Sequence, residues 1–88
     1  MKMIISIIRD EDRENVSTAL IEDGFRVTRI ASTGGFLRHG STTLIIGVDD
    51  DKVDQAIQTI RASCTAITEP GAKRATLFVI NVSNFEQI

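Results

Sequence analysis

The chain is short and mildly acidic, with 88 residues, a formal net charge of −2 and a single cysteine. This length fits one domain over residues 1–88, and one cysteine excludes a disulfide framework within the chain and a zinc site made of several thiolates. No apolar run approaches the roughly 20 residues of a membrane span, and the apolar start is too short for a signal peptide. We therefore expect a cytoplasmic protein that does not associate with membranes.

The hydrophobic pattern predicts six elements in the order strand, helix, strand, strand, helix, strand. β-Branched residues are dense in the predicted strands and apolar residues recur at helical spacing in the predicted helices, which gives strands at 1–9, 25–33, 41–48 and 75–82 and helices at 10–23 and 49–64. Asp10 or Asp12 is expected to cap the first helix, and Gly24 to end it. The order predicts an α+β, ferredoxin-like βαββαβ fold, a four-stranded antiparallel sheet with two helices on one face.

The predicted strands are apolar on both faces, although two helices can cover only one of them. Ile4–Ile8, Leu44–Val48 and Leu77–Ile80 lack the apolar–polar alternation of a strand with one wet face. The uncovered face would form a large apolar patch, which soluble monomers avoid, and a six-residue tail is too short to cover it. We therefore predict obligate self-association through the open face of the sheet.

The stretch from Gly24 to Val48 contains no acidic residue and carries a local charge of +3, which leaves −5 for the rest of the chain. This distribution favours a local anion site over a nucleic-acid polymer as partner, because nucleic-acid-binding domains are usually basic overall. Within it, Thr33-Gly34-Gly35-Phe36-Leu37 follows Arg26 and Thr28. Paired glycines let backbone N–H groups approach a phosphate, arginine and hydroxyl groups add donors, and Phe36 offers a face to a base. These features suggest a nucleotide, although most Gly-Gly loops only connect the strands of a hairpin.

The other reactive residues are better explained by packing and solvation than by chemistry. His39 has no second histidine or acid in its segment, Cys64 falls on the apolar stripe of the second helix, and Asp49-Asp50-Asp51 suits a helix start. The chain shows no EF-hand spacing and no set of nucleophile, base and orienting group. We therefore expect no catalytic residue, no metal site and no cofactor.

The motifs resemble the PII-like cyclic-di-AMP receptor family, the cyclic-di-AMP-binding PII-like signal transduction proteins of Gram-positive bacteria. The resemblance runs through nearly the whole chain and is carried by Met1–Ile5, Phe25–Thr28, Thr33–Arg38, Thr42–Val48, Asp50–Asp54 and Ala75–Val79. It implies a homotrimer of ferredoxin-like subunits with a cyclic dinucleotide in each cleft between subunits. It also implies a signal-transduction protein without catalytic activity.

The resemblance further implies ligand-binding roles for individual residues. Arg26 and Thr28 would contact phosphate or base edges, and Gly47 would allow close approach of the ligand. Gln87 would help to close the pocket. The loop between the second and third strands would wrap the ligand, with Phe36 beside an adenine and with the further loop residues Thr33, Gly34, Gly35 and Leu37.

Two positions depart from the family pattern, which commonly has asparagine where this chain has Gly24 and Ser41. Serine still forms a hydrogen bond, but it lacks the paired contact that an amide makes to an adenine edge. The connection from Cys64 to Ala75 also differs, because family members usually carry a much longer loop there than the ten residues of this chain.

The resulting interpretation is a trimeric receptor in which bound cyclic-di-AMP orders the loop between the second and third strands, so that the surface shown to an unidentified downstream protein changes. Two alternatives stay open. One is a PII-like sensor of a linear adenine nucleotide such as ATP or AMP. The other is a structural or metal-tolerance trimer of the same architecture that binds no nucleotide.

Overall fold

The computed structural model describes residues 1–30, 40–66 and 71–88. These ranges contain four strands and two helices in the order βαββαβ, namely β1 (Lys2–Arg9), α1 (Arg13–Glu22), β2 (Arg26–Ile30), β3 (Ser41–Val48), α2 (Val53–Ser63) and β4 (Ala75–Asn81). A single 3-10 turn leads into each helix, Asp10–Asp12 before α1 and Asp50–Lys52 before α2. No helix among the described residues is long and apolar enough to cross a membrane.

The strands form one antiparallel sheet in the order β2-β3-β1-β4, which confirms the predicted ferredoxin-like α+β fold. The register places Ile4 of β1 opposite Ile46 of β3 and Val79 of β4. Because strand side chains alternate between faces, even-numbered residues of β1 share one face of the sheet. This face packs against the helices around a core of Ile4, Ile8, Val16, Leu20, Leu44, Ile46, Val48, Ala56, Ile60 and Cys64.

The opposite side of the sheet, here called the open face, carries an apolar surface that the helices do not reach. Its central residues follow from the register and include Met3, Ile5 and Ile7 of β1, Ile45 of β3, and Phe78 and Ile80 of β4. Phe78 is 53% exposed and Ile80 is 42% exposed. The strands are therefore apolar on both faces, and the C-terminal tail leaves part of the open face in solvent.

Gly24 ends α1, as the sequence predicts. Its φ of +91° lies in the left-handed region that favours glycine. The backbone N–H of Phe25 donates to the carbonyl of Leu20 at 3.0 Å, and that of Gly24 donates to Ile21 at 3.0 Å. These two bonds form a Schellman motif, which turns the chain from α1 into β2 and packs Phe25 against the core.

The prediction that Asp10 or Asp12 caps α1 is wrong. Asp12 occupies the cap position, yet its side chain makes no capping bond, and the carboxylate of Asp10 accepts a hydrogen bond from the hydroxyl of Thr42. Asp12 is fully buried and instead binds Thr65, which follows α2, and Arg9 at the end of β1. Its Oδ1 accepts from Thr65 N at 3.1 Å and Thr65 Oγ1 at 2.6 Å, while Oδ2 accepts from Arg9 Nε at 3.2 Å and Nη2 at 3.0 Å.

The pKa values of the two ionisable side chains near this contact, Asp12 and Cys64, shift in opposite directions. Burial alone raises the pKa of Asp12, but hydrogen bonds from Thr65 and the charge of Arg9 outweigh it and hold that pKa below its ordinary value. Burial, together with the Asp12 carboxylate, raises the pKa of the Cys64 thiol. Cys64 lies one residue beyond α2 rather than within it. Its thiol stays protonated at neutral pH, which fits the packing role expected from the sequence.

Candidate functional site

A cavity of about 590 Å³ lies at the end of the sheet where β1 and β2 begin and β3 and β4 end. Small-molecule sites usually enclose about 300–1,000 Å³, so this cavity is large enough for a nucleotide. Three parts of the chain surround it. We call them the strand wall (Met3, Arg26, Thr28, Ile45 and Gly47), the helix wall (Asp23, Gly24, Phe25, Asp49, Lys52 and Gln55) and the tail (Val82, Phe85 and Gln87).

The strand wall belongs to the open face of the sheet. Gly47 of β3 stands opposite Arg26 of β2 and Met3 of β1, and Thr28 stands opposite Ile45. Paired residues point to the same side of a sheet, so all five residues point away from the core. The cavity therefore continues directly into the apolar open face.

Gly47 has no side chain, and this leaves space in the cavity beside the strand wall. A Cβ at this position would lie 3.1 Å from Cε of Met1, which is closer than ordinary van der Waals contact. The backbone of Gly47 does not adopt a positive φ, so the absence of a side chain creates space there and is not needed to relieve strain. A ligand can approach the backbone of β3 at this point.

The charged side chains around the cavity are the cations Arg26 and Lys52 and the acids Asp23 and Asp49. Arg26 and Lys52 are exposed, and no acid in the part of the chain that the structure describes forms an ion pair with either of them. Asp23 accepts a hydrogen bond from the hydroxyl of Thr59 on α2. Because Arg26 and Lys52 pair with no described acid, their donors suit an anionic group, and guanidinium in particular matches the geometry of a phosphate.

The structure brings four of the residues singled out by the sequence to one cavity, namely Arg26, Thr28, Gly47 and Gln87. Ser41 does not join them. It lies at the opposite end of β3, paired with Arg9, and about 20 Å from Gly47 at the usual rise per residue of a strand. The remaining residues of that prediction lie outside the described ranges: Thr33, Gly34, Gly35, Phe36 and Leu37.

Sequence reasoning missed the helix wall, apart from Gly24, and most of the tail. Lys52 and Gln55 line the cavity and belong to the segment after the third strand, for which the sequence suggests only a helix start. The predicted strand order already implies that the end of the third strand meets the start of the second, and this signal could have located both residues. Phe85 is an exposed aromatic residue in a largely polar tail. An aromatic side chain in such a segment is the sequence feature that could have marked it as a candidate site residue.

Among the described residues, no group of three or more histidine, cysteine or acidic side chains is arranged to hold a metal ion. The cavity instead offers side-chain donors, amide groups and a glycine backbone. Such a lining can bind and orient a ligand by hydrogen bonds and charge.

Comparison with known proteins identifies relatives of the chain. The family model described as cyclic-di-AMP receptor matches residues 1–71. This match spans β1 to α2 and includes the strand wall and the helix wall, while β4 and the tail follow it. A solved structure with a similar fold is the crystal structure of a functionally unknown protein from Pediococcus pentosaceus ATCC 25745. It has 29% sequence identity and a TM-score of 0.77, with 99% of this chain and 96% of that chain covered.

Proposed function

This chain belongs to the cyclic-di-AMP receptor family, and we propose that it binds cyclic-di-AMP in clefts between the subunits of a cytoplasmic homotrimer and acts in signal transduction. The observation that carries the proposal is the position of the cavity. Arg26, Thr28 and Gly47 line the cavity and also lie on the open face of the sheet. A second copy that covers the open face would therefore also close the cavity.

Self-association in this proposal follows from the apolar open face. Phe78 and Ile80 are about half exposed in the isolated chain, and covering apolar surface is worth about 25 cal/mol per Å². A neighbouring subunit that packs on this face removes that exposure and supplies the missing wall of the cavity. Ligand binding and assembly would then depend on the same surface.

The chemistry of the cavity fits a cyclic dinucleotide, which carries two phosphates and two adenines. The Arg26 guanidinium and the Thr28 hydroxyl are suited to phosphate oxygens, and Gly47 permits close approach to β3. The Gln87 amide can donate to and accept from an adenine edge. In this assignment the phosphates lie along the strand wall and the bases extend toward the tail.

The residues beyond this cavity enter the proposal through the neighbouring subunit. Ser41 lies too far along β3 from Gly47 to line the same wall, so we assign it to the cleft from an adjacent copy, together with the loop Thr33–Leu37. Contacts from this loop to the ligand would fix one loop arrangement and so change the surface offered to a downstream protein. The protein acts in this account by binding and without catalysis.

Calorimetric titration of the purified chain with cyclic-di-AMP, cyclic-di-GMP and ATP tests the proposal. We expect micromolar or tighter binding of cyclic-di-AMP alone. Binding of ATP alone would replace the proposal with a sensor of linear adenine nucleotides, and no binding of any of the three would refute both. Sedimentation of the same sample tests the trimer, since a monomer at micromolar concentration contradicts assembly through the open face.

Arg26→Gln and Arg29→Gln form a matched pair for the phosphate contact. The two arginines lie on the same strand but on opposite faces, and Arg29 is bound to Glu14 at 3.1 Å rather than facing the cavity. We expect Arg26→Gln to weaken cyclic-di-AMP binding at least tenfold, since hydrogen bonds to charged groups contribute about 1.5–3 kcal/mol. Arg29→Gln should leave the affinity within twofold of wild type.

A further inference from the structure

Phe85 is an exposed aromatic residue at the cavity for which neither the sequence motifs nor the family match gives a role. Its side chain is 61% exposed, and it lines the same cavity as Arg26 and Gln87. It lies beyond the matched residues 1–71. The backbone N–H of Val82 donates to the Met1 carbonyl at 3.0 Å, and this bond holds the start of the tail beside β1.

Phe25 and Phe78, the other phenylalanines of the described residues, do not take the same place. Phe25 also lines the cavity, but it is half-buried and packs against the core. Phe78 lies on the open face away from the cavity lining, and Phe36 is outside the described residues. Phe85 is therefore the exposed aromatic ring that the described structure places at the cavity.

We propose that Phe85 stacks on an adenine of the bound nucleotide and so contributes to the affinity of the site for cyclic-di-AMP. The inference rests on the proposed function and deepens it. An adenine presents a flat π-face, and an exposed aromatic side chain is the group that proteins use to bind such a face. A cyclic dinucleotide has two bases, and each base offers a π-face on which an aromatic ring can stack.

Substitution of Phe85 gives the first test. Stacking on a base is worth about 1–3 kcal/mol, which corresponds to an increase of about 5- to 150-fold in the dissociation constant for cyclic-di-AMP in Phe85→Ala. Phe85→Leu keeps apolar bulk but removes the ring, and it should lose most of the same affinity. Ile88→Ala is the matched control, because Ile88 is a fully exposed apolar residue of the same tail that does not line the cavity.

Fluorescence gives a second test that a merely structural role would not affect. The chain contains no Trp and no Tyr, so Phe85→Trp introduces a single indole at the proposed contact. We expect cyclic-di-AMP to quench its emission in a saturable way, with a midpoint that matches the calorimetric dissociation constant. Ile88→Trp should show no saturable quenching.

The outcomes separate the inference from the function on which it rests. If the wild-type chain does not bind cyclic-di-AMP, the proposed function fails. If wild type binds but Phe85→Ala binds equally well, the function stands and the stacking inference is overturned. If Phe85→Ala instead changes the sedimentation coefficient of the ligand-free protein, the ring belongs to a subunit contact, which also overturns the inference.

Discussion

Replacing Asp12 with asparagine should destabilise the fold by about 2 kcal/mol. The Asp12→Asn side chain would keep an oxygen for the two bonds from Thr65 but present an amide to the Arg9 guanidinium, so two charge-assisted bonds are lost. Losing one partner of a buried ion pair costs about 3–5 kcal/mol. The expected cost is lower here because the Arg9 side chain is 29% exposed and also pairs with Glu11, so it can turn to solvent.

Urea unfolding followed by circular dichroism measures this change in the free energy of unfolding. Wild type and variant should be compared at one chain concentration, because self-association makes apparent stability depend on concentration. Asp54→Asn is the matched control, since Asp54 is exposed and has no ion-pair partner among the described residues. A surface change of this kind should stay within about 0.5 kcal/mol of wild type.

The pH dependence provides an independent check on the same side chain. The pKa of Asp12 is lower in the folded protein than in the unfolded chain. Its carboxylate therefore contributes its full stability above the unfolded pKa of about 4, and loses it as the pH falls through the folded value. The difference between wild type and Asp12→Asn should shrink as the pH falls below the unfolded pKa and through the lower folded one. A difference below about 1 kcal/mol at neutral pH, or one that is independent of pH, would refute the reasoning.

Three further changes test the cavity, the open face and the core. Gly47→Val should weaken cyclic-di-AMP binding at least tenfold in a calorimetric titration, since even a Cβ there lies 3.1 Å from Met1 Cε, whereas unchanged affinity would remove β3 from the site. Phe78→Glu should dissociate the assembly in sedimentation, whereas Ile21→Glu, at an exposed position of α1, should not. An intact Phe78→Glu oligomer would contradict assembly through the open face. The Cys64 thiol should react with Ellman's reagent much more slowly in the folded than in the urea-unfolded chain, because burial raises its pKa, and equal rates would contradict that burial.

The elements and the two faces of the sheet could be predicted because they depend on local patterns. The β-branched density of β3 predicts Ser41–Val48 to the residue, and the apolar residues on both faces of β1 indicate the open face once two helices are assigned to the other side. Gly24 ended α1 as expected, since the left-handed turn there is a local requirement.

The contacts that sequence reasoning missed join residues far apart in the chain. Asp12 looked like a helix cap because caps are local, but its partner Thr65 lies 53 positions away, and only the packed fold shows that contact. The position of Phe85 at the cavity could not be predicted for a similar reason. The path of a tail after the last strand depends on tertiary packing rather than on periodicity.

Native mass spectrometry of the wild-type chain with cyclic-di-AMP tests the central claim most directly, since it reports assembly and ligand count in one spectrum. We expect a trimer that carries up to three cyclic-di-AMP molecules, one for each cleft, and no such adduct with cyclic-di-GMP at the same concentration. A monomer that binds the nucleotide, or a trimer that remains free of it at saturating concentration, would contradict the account.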